Sequence, residues 1–516
     1  MSIEVAVRNP ERLEGILRTF SKFEGKILDD ETILDIYAQL FLDGAVTSDS
    51  VSDDMLDLSI MREWVFNNCS HNNEWGFPTG YQGAFTRYLK TLSEFGFIYS
   101  QYEETFMISP VAKALLSGKI SLSEAFALQC MRFWRKSPYR RVLNDFNYFS
   151  FIMDTLIELN KSGKRLSIVQ FMVSLFSDDG DVNSFLKLIN TYRIGSDLDA
   201  AYNLVNLKYH KIDSDHAKVS KIDTAFRDYG NSVFRVLQLT GFITVECNGI
   251  ILISPNKSRL PFYKALKECD FRISEEAQES ELKYFEEIGS FNISIENLIY
   301  EFREPIDHST EGYNTKIPAI IESYKLDVDR IEQELKQIDN SRYQSKFWFI
   351  QAPVKFEFLL TLYIYSYFGD RFIYKPNYIC DDAGIPFSHA PGNMGDIEVY
   401  NEELYWLIEA TLIRAKTQQI NNETVNLFRH INENESKDKY LTLVAPYIHD
   451  DTKLIINVAT LITMFERDYS LLSSSAQTTE EFVNDVKNED IFNLMMTQTK
   501  EFILEFREFL NNCQIE

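Results

Sequence analysis

Several features that would assign this chain to a familiar class are missing from it. Its six cysteines are scattered and form no Cys-x-x-Cys pair, which argues against structural zinc or a disulfide framework and fits a reducing cytoplasm. Its seven histidines show neither HxxxH nor HExxH spacing, so a zinc metalloprotease motif is absent. No apolar run approaches the roughly 20 residues that span a bilayer, and the amino terminus lacks the basic, apolar start of a signal peptide. We therefore expect a cytoplasmic protein with no membrane role.

The chain also lacks a Gly/Ser-rich or Pro-rich linker. Its 516 residues are enough for about two to four domains, so the boundaries have to be located where the residue pattern changes. These changes predict four segments: 1–160, 161–271, 272–346 and 347–516.

Positive charge is scarce. The chain has 52 Lys and Arg residues against 77 Asp and Glu residues, a net charge of −25. Such a chain repels phosphates unless its basic residues gather on one surface. One stretch, which we call the basic strip, has five basic residues and no acid, and is either a solvated helix face or a phosphate-contacting surface: Arg132, Arg135, Lys136, Arg140 and Arg141.

Residues 80–108 follow a pattern typical of a winged helix. Apolar residues recur at helical spacing, and the helix is expected to stop at Gly96. A short strand, a polar turn over 101–104 and a second strand over 105–108 follow. A helix followed by a two-stranded hairpin is the outline of a winged helix.

The same order of elements recurs over residues 224–254. Asn248-Gly249 is a strong signal for a two-residue hairpin turn, and both copies share a Gly-Phe-Ile sequence after the helix. We therefore predict a tandem winged-helix region, with one unit in 1–160 and another in 161–271. The acidic, amphipathic segment 272–346 is expected to be a helical linker.

Winged helices bind DNA but also dock other proteins, and both uses remain open at this point. If these two bind DNA, basic residues of their helices are expected to contact phosphates or bases: Arg87, Lys90, Arg227 and Arg235.

Residues 347–516 alternate between helix and strand patterns. This alternation predicts an α/β sheet with helices on both sides, so the whole chain is expected to be a multidomain α+β protein. The clearest elements are a buried helix over 354–368, a helix over about 417–432, a strand over 440–446 and a helix over about 450–465.

Two carboxylates of this last segment stand inside apolar, strand-like runs. Asp396 lies in Gly-Asp-Ile-Glu-Val, and Glu409 lies in Leu-Ile-Glu-Ala-Thr-Leu-Ile. A carboxylate inside a packed sheet is costly unless it is paired or binds a metal. On adjacent strands the two could share one divalent cation, as metal-dependent phosphodiester hydrolysis requires.

Three further residues of this segment have two readings each. Glu398 faces the same side as Asp396 because side chains alternate along a strand; it is either a third acid or an exposed edge residue, and we expect the latter. Glu357, inside the apolar helix, is expected to face a metal or a basic partner. His389 could touch the site from its loop, but we expect it to be an ordinary loop histidine.

The predicted helix over 417–432 carries a polar face. Gln419, Glu423 and His430 fall at positions i, i+4 and i+11, which keeps them on one side of a helix. This face is either a solvated surface with a capping histidine or a functional surface that follows directly after Glu409.

Together these motifs resemble the nuclease core of AlwI-type type IIS restriction endonucleases, a group that includes the BstNBI-like nicking enzymes. The superfamily pattern is PD-(D/E)xK. Here Gly395 replaces the Pro and Thr411 replaces the Lys, as in the ExT version of the pattern. The resemblance extends over about residues 354–465, and the segments that carry it are 389–399, 407–412, 418–423 and 429–430.

The resemblance implies a C-terminal PD-(D/E)xK-like nuclease domain in 347–516 that uses Mg²⁺. It implies a type IIS enzyme that recognises a short sequence in double-stranded DNA and cuts a few bases outside it. It also implies the site residues: Asp396 and Glu409 as metal ligands, with Glu357, Glu423 and His430 as further active-site residues. The missing lysine leaves its role to Lys416, Arg414 or His430.

One such site cuts one strand, so double-strand cleavage would need a second nuclease domain from a transient homodimer or another subunit. A strand-specific nicking endonuclease, or a subunit of a heteromeric restriction enzyme, is therefore an alternative. A further alternative is a winged-helix DNA-binding regulator with an inactive nuclease fold, against which the intact pair Asp396 and Glu409 argues.

Overall fold

The computed structural model divides the chain into two units, Met1–Arg303 and Glu304–Glu516. The residues that the structure describes are 10–46, 57–68, 82–140, 145–209, 229–303, 313–340, 343–389, 394–414, 416, 419–420, 424–429, 437–488 and 490–512. The boundary between the units falls inside the predicted linker 272–346, so that segment contributes helices to both units. The finer division into four domains stays a prediction.

The first unit is mainly helical, and polar side chains mark several helix starts. Asp29 accepts a hydrogen bond from the Thr32 N–H at 2.8 Å, and Ser121 and Glu124 form a reciprocal capping box. In chain order its described helices are α1 (Arg12–Ser21), α2 (Asp30–Leu42), α3 (Leu58–Asn68), α4 (Gln82–Glu94), α5 (Pro110–Leu116), α6 (Leu122–Arg132), α7 (Tyr148–Lys161), α8 (Ile168–Ser174), α9 (Val182–Thr191), α10 (Leu198–Tyr209), α11 (Gly230–Leu239), α12 (Leu260–Glu268), α13 (Glu275–Glu279), α14 (Glu281–Ile288) and α15 (Ile293–Glu301).

The strands described in the first unit form two small antiparallel sheets. One pairs β1 (Ile98–Tyr99) with β2 (Met107–Ile108). The other has the order β3-β5-β4 and consists of β3 (Leu166–Ser167), β4 (Ile243–Cys247) and β5 (Ile251–Pro255).

Both predicted helix-and-hairpin segments are present in this unit. Helix α4 leads through Gly96, at φ +67°, into β1 and β2, and α11 leads into β4 and β5. Gly249, at φ +74°, occupies the turn between β4 and β5, a left-handed conformation that glycine adopts without steric cost. The first hairpin is shorter than expected, because its second strand begins only at Met107.

The second unit contains seven α-helices and seven strands among its described residues. The helices are α16 (Lys316–Ser323), α17 (Val328–Lys336), α18 (Ala352–Phe368), α19 (Thr424–Arg429), α20 (Asp450–Glu466), α21 (Thr479–Val486) and α22 (Ile491–Asn512). The strands are β6 (Ile373–Pro376), β7 (Ile379–Cys380), β8 (Pro386–Ser388), β9 (Ile397–Tyr400), β10 (Leu404–Ala410), β11 (Asp438–Ala445) and β12 (Leu471–Thr478).

A five-stranded mixed sheet in the order β12-β11-β10-β9-β6 forms the centre of the second unit. Strand β10 is antiparallel to β9 and parallel to β11. Strand β12 is parallel to β11, and β6 is antiparallel to β9. This sheet confirms the predicted α/β architecture of the C-terminal segment.

Helices cover both faces of this sheet. Leu407 of β10 packs in one cluster with Leu427 of α19 and Ile456 of α20. The neighbouring Trp406 contacts the ring of Phe482 of α21 on the other face, with ring centroids 5.9 Å apart. Adjacent side chains of a strand point to opposite faces, so an apolar run in β10 serves two cores.

Most elements predicted for this unit are confirmed. Helix α18 matches 354–368, β11 matches 440–446 and α20 matches 450–465, whereas the predicted helix over 417–432 is described only in part, by α19. Strand β12 was not predicted because its three consecutive serines lack a strand-like pattern. Its Ser473 is buried and donates to the Met495 carbonyl at 2.9 Å.

No described helix is long and apolar enough to cross a membrane.

Candidate active site

Asp396 and Glu409 come together where β9 begins and β10 ends. Asp396 directly precedes β9, and Glu409 is the penultimate residue of the antiparallel strand β10. The Asp396 carboxylate accepts a hydrogen bond from the Ala410 N–H at 2.8 Å and is hydrogen-bonded to the Glu409 carboxyl group. Two ionised carboxylates in contact repel each other, so such a pair holds either a proton or a cation.

The pKa of Asp396 reflects this crowding. Burial raises the pKa of Asp396 well above its usual range, and the Glu357 and Glu409 carboxylates raise it further, while the Ala410 N–H lowers it. A carboxylate surrounded by like charges is stabilised in its ionised form when a divalent cation supplies positive charge.

Glu357 faces the same site from helix α18. Its Oε1 lies 3.7 Å from His389 Nδ1, and its buried Oε2 has no hydrogen-bond partner among the residues that the structure describes. Burial raises the pKa of Glu357, His389 lowers it, and Glu409 raises it. A buried carboxylate oxygen without a partner is costly, and it is suited to a site that binds a cation. His389, which we expected to be an ordinary loop histidine, therefore lies next to a candidate site acid.

The structure gives a local reason for one of the two departures from the PD-(D/E)xK pattern and describes the surroundings of the other. A Cβ atom at Gly395 would lie 2.3 Å from Leu407 Cδ1 and 3.1 Å from Glu409 Oε1, so a proline at this position would collide with β10. Thr411, at the lysine position, is buried, and its Oγ1 accepts a hydrogen bond from the Ile413 N–H at 3.1 Å. Gly395 thus permits the close approach of the segment before β9 to β10.

Glu398 is not the exposed edge residue that we expected, because β9 lies between β6 and β10 in the sheet. Its buried side chain forms an ion pair with Lys375 of β6 at 2.8 Å. It also accepts a hydrogen bond from Asn377 Nδ2 at 2.9 Å. Because its charge has an opposite partner, Glu398 differs from the crowded acids beside it.

The residues considered as substitutes for the missing lysine have other partners. Arg414 pairs with Asp339 at 2.8 Å, and Lys416 pairs with Asp451. His430 lies outside the described residues. The described geometry therefore brings neither of the first two cations to the carboxylate pair.

Gln419 connects two backbone segments. It is fully buried; its Nε2 donates to the Ile413 carbonyl at 2.7 Å, and its Oε1 accepts from Thr452 Oγ1 at 3.2 Å. These bonds hold the segment after β10 against the start of α20. Glu423 and His430, the other members of the predicted polar face, lie outside the described residues.

The described acids fit a hard divalent cation. No group of three or more His, Cys, Asp or Glu side chains in the described part of the chain is arranged to hold a metal ion. Mg²⁺ is commonly held by one or two carboxylates together with waters and substrate phosphates. Asp396 and Glu409 supply such a pair, and the unpartnered Oε2 of Glu357 is a further oxygen at the same site.

The basic strip in the first unit does not form an exposed face. Arg132 Nη1 donates to the Ile288 and Ser290 carbonyls at 2.8 and 2.6 Å, and burial lowers the pKa of Arg132 to about 10. Arg135 Nη1 donates to the Asp178 carbonyl at 3.0 Å. These two arginines are only 3% and 8% exposed, so either would have to leave its contacts to reach a phosphate.

The remaining residues of the strip differ in their contacts and in their exposure. Arg140 pairs with Glu94 at 2.9 Å and stacks over the Phe133 ring at 3.9 Å. Lys136 is half-buried, and Arg141 lies outside the described residues. A DNA-binding role for the strip stays a prediction. Its arginine side chains are less accessible to a phosphate than we expected.

The basic residues of the two predicted recognition helices also differ in exposure. Arg87 and Lys90 are exposed on α4, and Lys90 Nζ lies 3.8 Å from Glu94 Oε1. Arg235 is half-buried on α11, while Arg227 lies outside the described residues. The first helix therefore offers the more accessible positive charge.

A comparison with known protein families identifies the class of this chain. The model of the AlwI restriction endonuclease family matches residues 93–351 and 349–469. The chain therefore belongs to the AlwI restriction endonuclease family. This membership confirms the resemblance to AlwI-type type IIS restriction endonucleases and extends it well beyond the nuclease motifs.

Two solved restriction endonucleases are similar to the chain at low identity. The small subunit of the heterodimeric restriction endonuclease R.BspD6I is 20% identical over 35% of this chain and 98% of its own, with a TM-score of 0.26. Restriction endonuclease FokI is 11% identical over 92% of this chain and 94% of its own, with a TM-score of 0.24. A search of curated proteins gives no match. Because both TM-scores are low, the family match carries the assignment.

Proposed function

We propose that this chain is a Mg²⁺-dependent type IIS restriction endonuclease that recognises a short DNA sequence and cuts a few bases outside it. The observation that supports this proposal most directly is the hydrogen-bonded pair of Asp396 and Glu409 beside Glu357. Three crowded acids, two of them with raised pKa values, are difficult to explain as fold stabilisation alone. In a family of restriction endonucleases, they are suited to a cation at the scissile phosphate.

The residues of the site have distinct roles in this proposal. Asp396 and Glu409 hold the cation, and Gly395 lets the two strands approach closely enough for both to reach it. When bound, Mg²⁺ stabilises the negative charge that develops on the phosphate. Glu357 orients the attacking water through its unpartnered Oε2. Glu423 and His430 are assigned, by position in the family motif, to orienting water or substrate.

The two helix-and-hairpin segments are proposed to be winged helices that read the DNA sequence. Arg87 and Lys90 are the exposed candidates on the first helix, and Arg227 and Arg235 belong to the second. Because the chain is strongly acidic overall, contact with DNA depends on such local basic positions. Access to intracellular DNA would place the protein in the cytoplasm.

The number of strands cut depends on the number of nuclease domains at the DNA. The described chain contains one carboxylate pair of this kind, and one such site cuts one strand. We propose that cleavage of both strands requires a second nuclease domain from a transient homodimer or another subunit. A nicking activity is the outcome if no second domain is recruited.

The proposal is tested by incubating supercoiled plasmid with the protein and Mg²⁺ and mapping breaks on each strand. Breaks at a constant offset from one sequence motif are expected. Paired breaks whose rate rises steeply with protein concentration indicate a transient dimer, and breaks on one strand indicate a nicking enzyme. Absence of cleavage with intact sequence-specific binding would favour a DNA-binding protein with an inactive nuclease fold.

A matched pair of variants connects the activity to the site. Glu409→Gln removes one charge of the crowded pair, whereas Glu334→Gln changes an acid that is equally buried but accepts hydrogen bonds from Ser345 and the Lys346 N–H at 2.6 and 3.0 Å. Loss of cleavage in the first variant alone is expected. Full Mg²⁺-dependent cleavage by Glu409→Gln would overturn the proposed site.

A further inference from the structure

Asn377 is a buried amide that holds the backbone on which Asp396 stands. Its side chain is fully buried directly after β6. Its backbone N–H donates to the Asp396 carbonyl at 2.9 Å, and its Nδ2 donates to the Gly395 carbonyl at 2.6 Å. One residue therefore binds two consecutive carbonyl groups of the segment that carries a candidate metal ligand.

The orientation of this amide is determined by its neighbours. Nδ2 also donates to Glu398 Oε1 at 2.9 Å, so both side-chain partners of Asn377 are acceptors. A flipped amide would place Oδ1 against a carbonyl and a carboxylate, which is unfavourable. Glu398 is in turn held by Lys375 at 2.8 Å, and the pair buries its two charges together.

Such a clamp has a physical purpose at this position. The Asp396 carboxylate lies beside Glu357 and Glu409, and repulsion among ionised acids would push it away from the place where a cation needs it. The backbone at Gly395 also lies so close to β10 that a Cβ atom would collide with Leu407. Holding a ligand against both repulsion and crowding requires bonds to its own backbone.

We infer that Asn377 is a positioning residue for Asp396, and that the ion pair of Lys375 and Glu398 orients the Asn377 amide. This inference depends on the proposed function, because it assigns Asp396 to metal binding. Asn377 does not contact the reacting atoms in this assignment. It acts through the backbone of Gly395 and Asp396, as outer partners of metal ligands commonly do.

The test is Asn377→Asp, which keeps the side-chain volume but removes the Nδ2 donor. Binding of Mn²⁺ to the full-length protein without DNA is measured by titration calorimetry. Loss of an outer partner typically lowers metal affinity by about 10- to 100-fold, and we expect a fall of this size. The Mg²⁺ concentration for half-maximal cleavage should rise by a similar factor, with a smaller change in the rate at saturating Mg²⁺.

The matched control is Asn314→Asp in the same unit. Asn314 Nδ2 donates to the Phe372 carbonyl at 2.9 Å, and its Oδ1 accepts from the Tyr374 N–H at 2.9 Å, so it holds the opposite end of β6. This variant also loses a donor to the backbone. We expect it to lower the urea midpoint while leaving Mn²⁺ affinity unchanged.

A graded variant tests the second part of the inference. Glu398→Gln keeps an acceptor for Asn377 but removes the charge that pairs with Lys375, so we expect a smaller fall in Mn²⁺ affinity than Asn377→Asp gives. If Asn377→Asp does not fold, the Glu398→Gln result decides. A wild-type Mn²⁺ affinity in that variant would then overturn the inference.

Asp396→Asn separates this inference from the proposed function. If Asp396→Asn loses Mn²⁺ binding while Asn377→Asp binds as the wild type does, the positioning role is wrong and the metal site stands. If Asp396→Asn binds Mn²⁺ normally, the proposed metal site itself is wrong. If both the Asn377→Asp and Asn314→Asp variants lose affinity equally, the effect is general loosening of β6, and the positioning role is again excluded.

Discussion

Arg132 in the first unit and Asp396 in the second are both charged groups inside the protein, with very different surroundings. Arg132 donates to two backbone carbonyls, so its charge has neutral acceptors provided by the fold. Asp396 lies against the acids Glu357 and Glu409, and the pKa of Asp396 is raised by burial and by both neighbours. A buried charge with suitable partners stabilises a fold, whereas one crowded by like charges indicates a site that needs a ligand.

The second unit contains its own example of the first kind. Glu398 comes two positions after Asp396, so strand alternation directs both side chains to the same face. Glu398, however, is paired with Lys375 at 2.8 Å. Both acids lie within the same short segment, and what most distinguishes them is the charge of their partners. The variants below change those partners, starting with the largest expected effect.

Asp396→Asn should abolish cleavage without preventing specific DNA binding. Loss of a metal ligand removes several kcal/mol of transition-state stabilisation, and each 1.36 kcal/mol corresponds to roughly a tenfold change in rate. We expect a fall of about 10³-fold or more in single-turnover cleavage, with little change in a gel-shift assay in Ca²⁺. Equal losses of cleavage and binding would show that the residue supports the fold instead.

Arg132→Met should destabilise the first unit. The variant keeps most of the side-chain volume but removes the donor to the Ser290 carbonyl, while the Ile288 carbonyl keeps its bond from Gln129 Nε2 at 2.9 Å. An unsatisfied buried polar group costs about 1–3 kcal/mol, so we expect a loss within this range in the free energy of unfolding, measured with urea. An unchanged urea midpoint combined with weaker DNA binding would instead favour the original expectation that Arg132 contacts phosphate.

Glu357→Gln should raise the free energy of unfolding in metal-free buffer, which is the opposite of the effect expected for Arg132→Met. Neutralising a buried acid that lies beside Glu409 relieves repulsion, and we expect a gain of about 1 kcal/mol, because one pKa unit corresponds to about 1.4 kcal/mol. Urea denaturation in EDTA measures this gain, and cleavage in Mg²⁺ should fall. A clear loss of stability would mean that Glu357 belongs with the paired charges.

The pH dependence of the free energy of unfolding should distinguish the crowded acids from the paired charges. The pKa of Asp396 and that of Glu357 are raised in the folded chain, so the native state keeps protons that the unfolded chain has already released. The stability that these protons provide is complete below about pH 4, the pKa of the unfolded acids, and is lost as the pH rises toward the folded values. In EDTA, wild type should therefore lose stability relative to Asp396→Asn as the pH increases. A difference that stays constant with pH would contradict the raised pKa.

The exposed basic residues should show the smallest effect. Arg87→Gln and Lys90→Gln change side chains on the surface of α4, where a phosphate contact contributes mainly through counterion release. Each variant is expected to lower the slope of log affinity against log salt by about 1 if the residue contacts a phosphate. Neither should alter the urea midpoint appreciably. An unchanged slope in both variants would remove α4 from the proposed DNA contact.

The sequence predicted the candidate metal ligands but not their support. Asp396, Glu409 and Glu357 could be found because an acid inside an apolar run is rare and costly. Asn377 gave no such signal, since a single asparagine after a strand is usually part of a turn. Its importance depends on Gly395, which is 18 positions away along the chain and becomes a neighbour only through the pairing of β6 with β9.

The exposure that we expected for the basic strip was wrong for a related reason. A run of arginines without acids suggests a charged surface, because arginine is seldom fully buried without a partner. The partners exist, but they come from distant parts of the first unit: Arg132 reaches the end of α14, and Arg135 reaches the Asp178 carbonyl. Strand β12 was missed because the hydrogen bonds that bury its serines come from α22.

By itself, the sequence determined the chemistry that this protein has available. It established the unusual acids, the alternation of helix and strand around them, the two helix-and-hairpin segments and the likeness to AlwI-type endonucleases. The tertiary structure alone decided which charges lie beside groups that compensate them and which lie beside charges of the same sign. Those contacts join residues far apart in the chain, and the free energy of a buried charge depends on what surrounds it, which residue type and spacing do not specify.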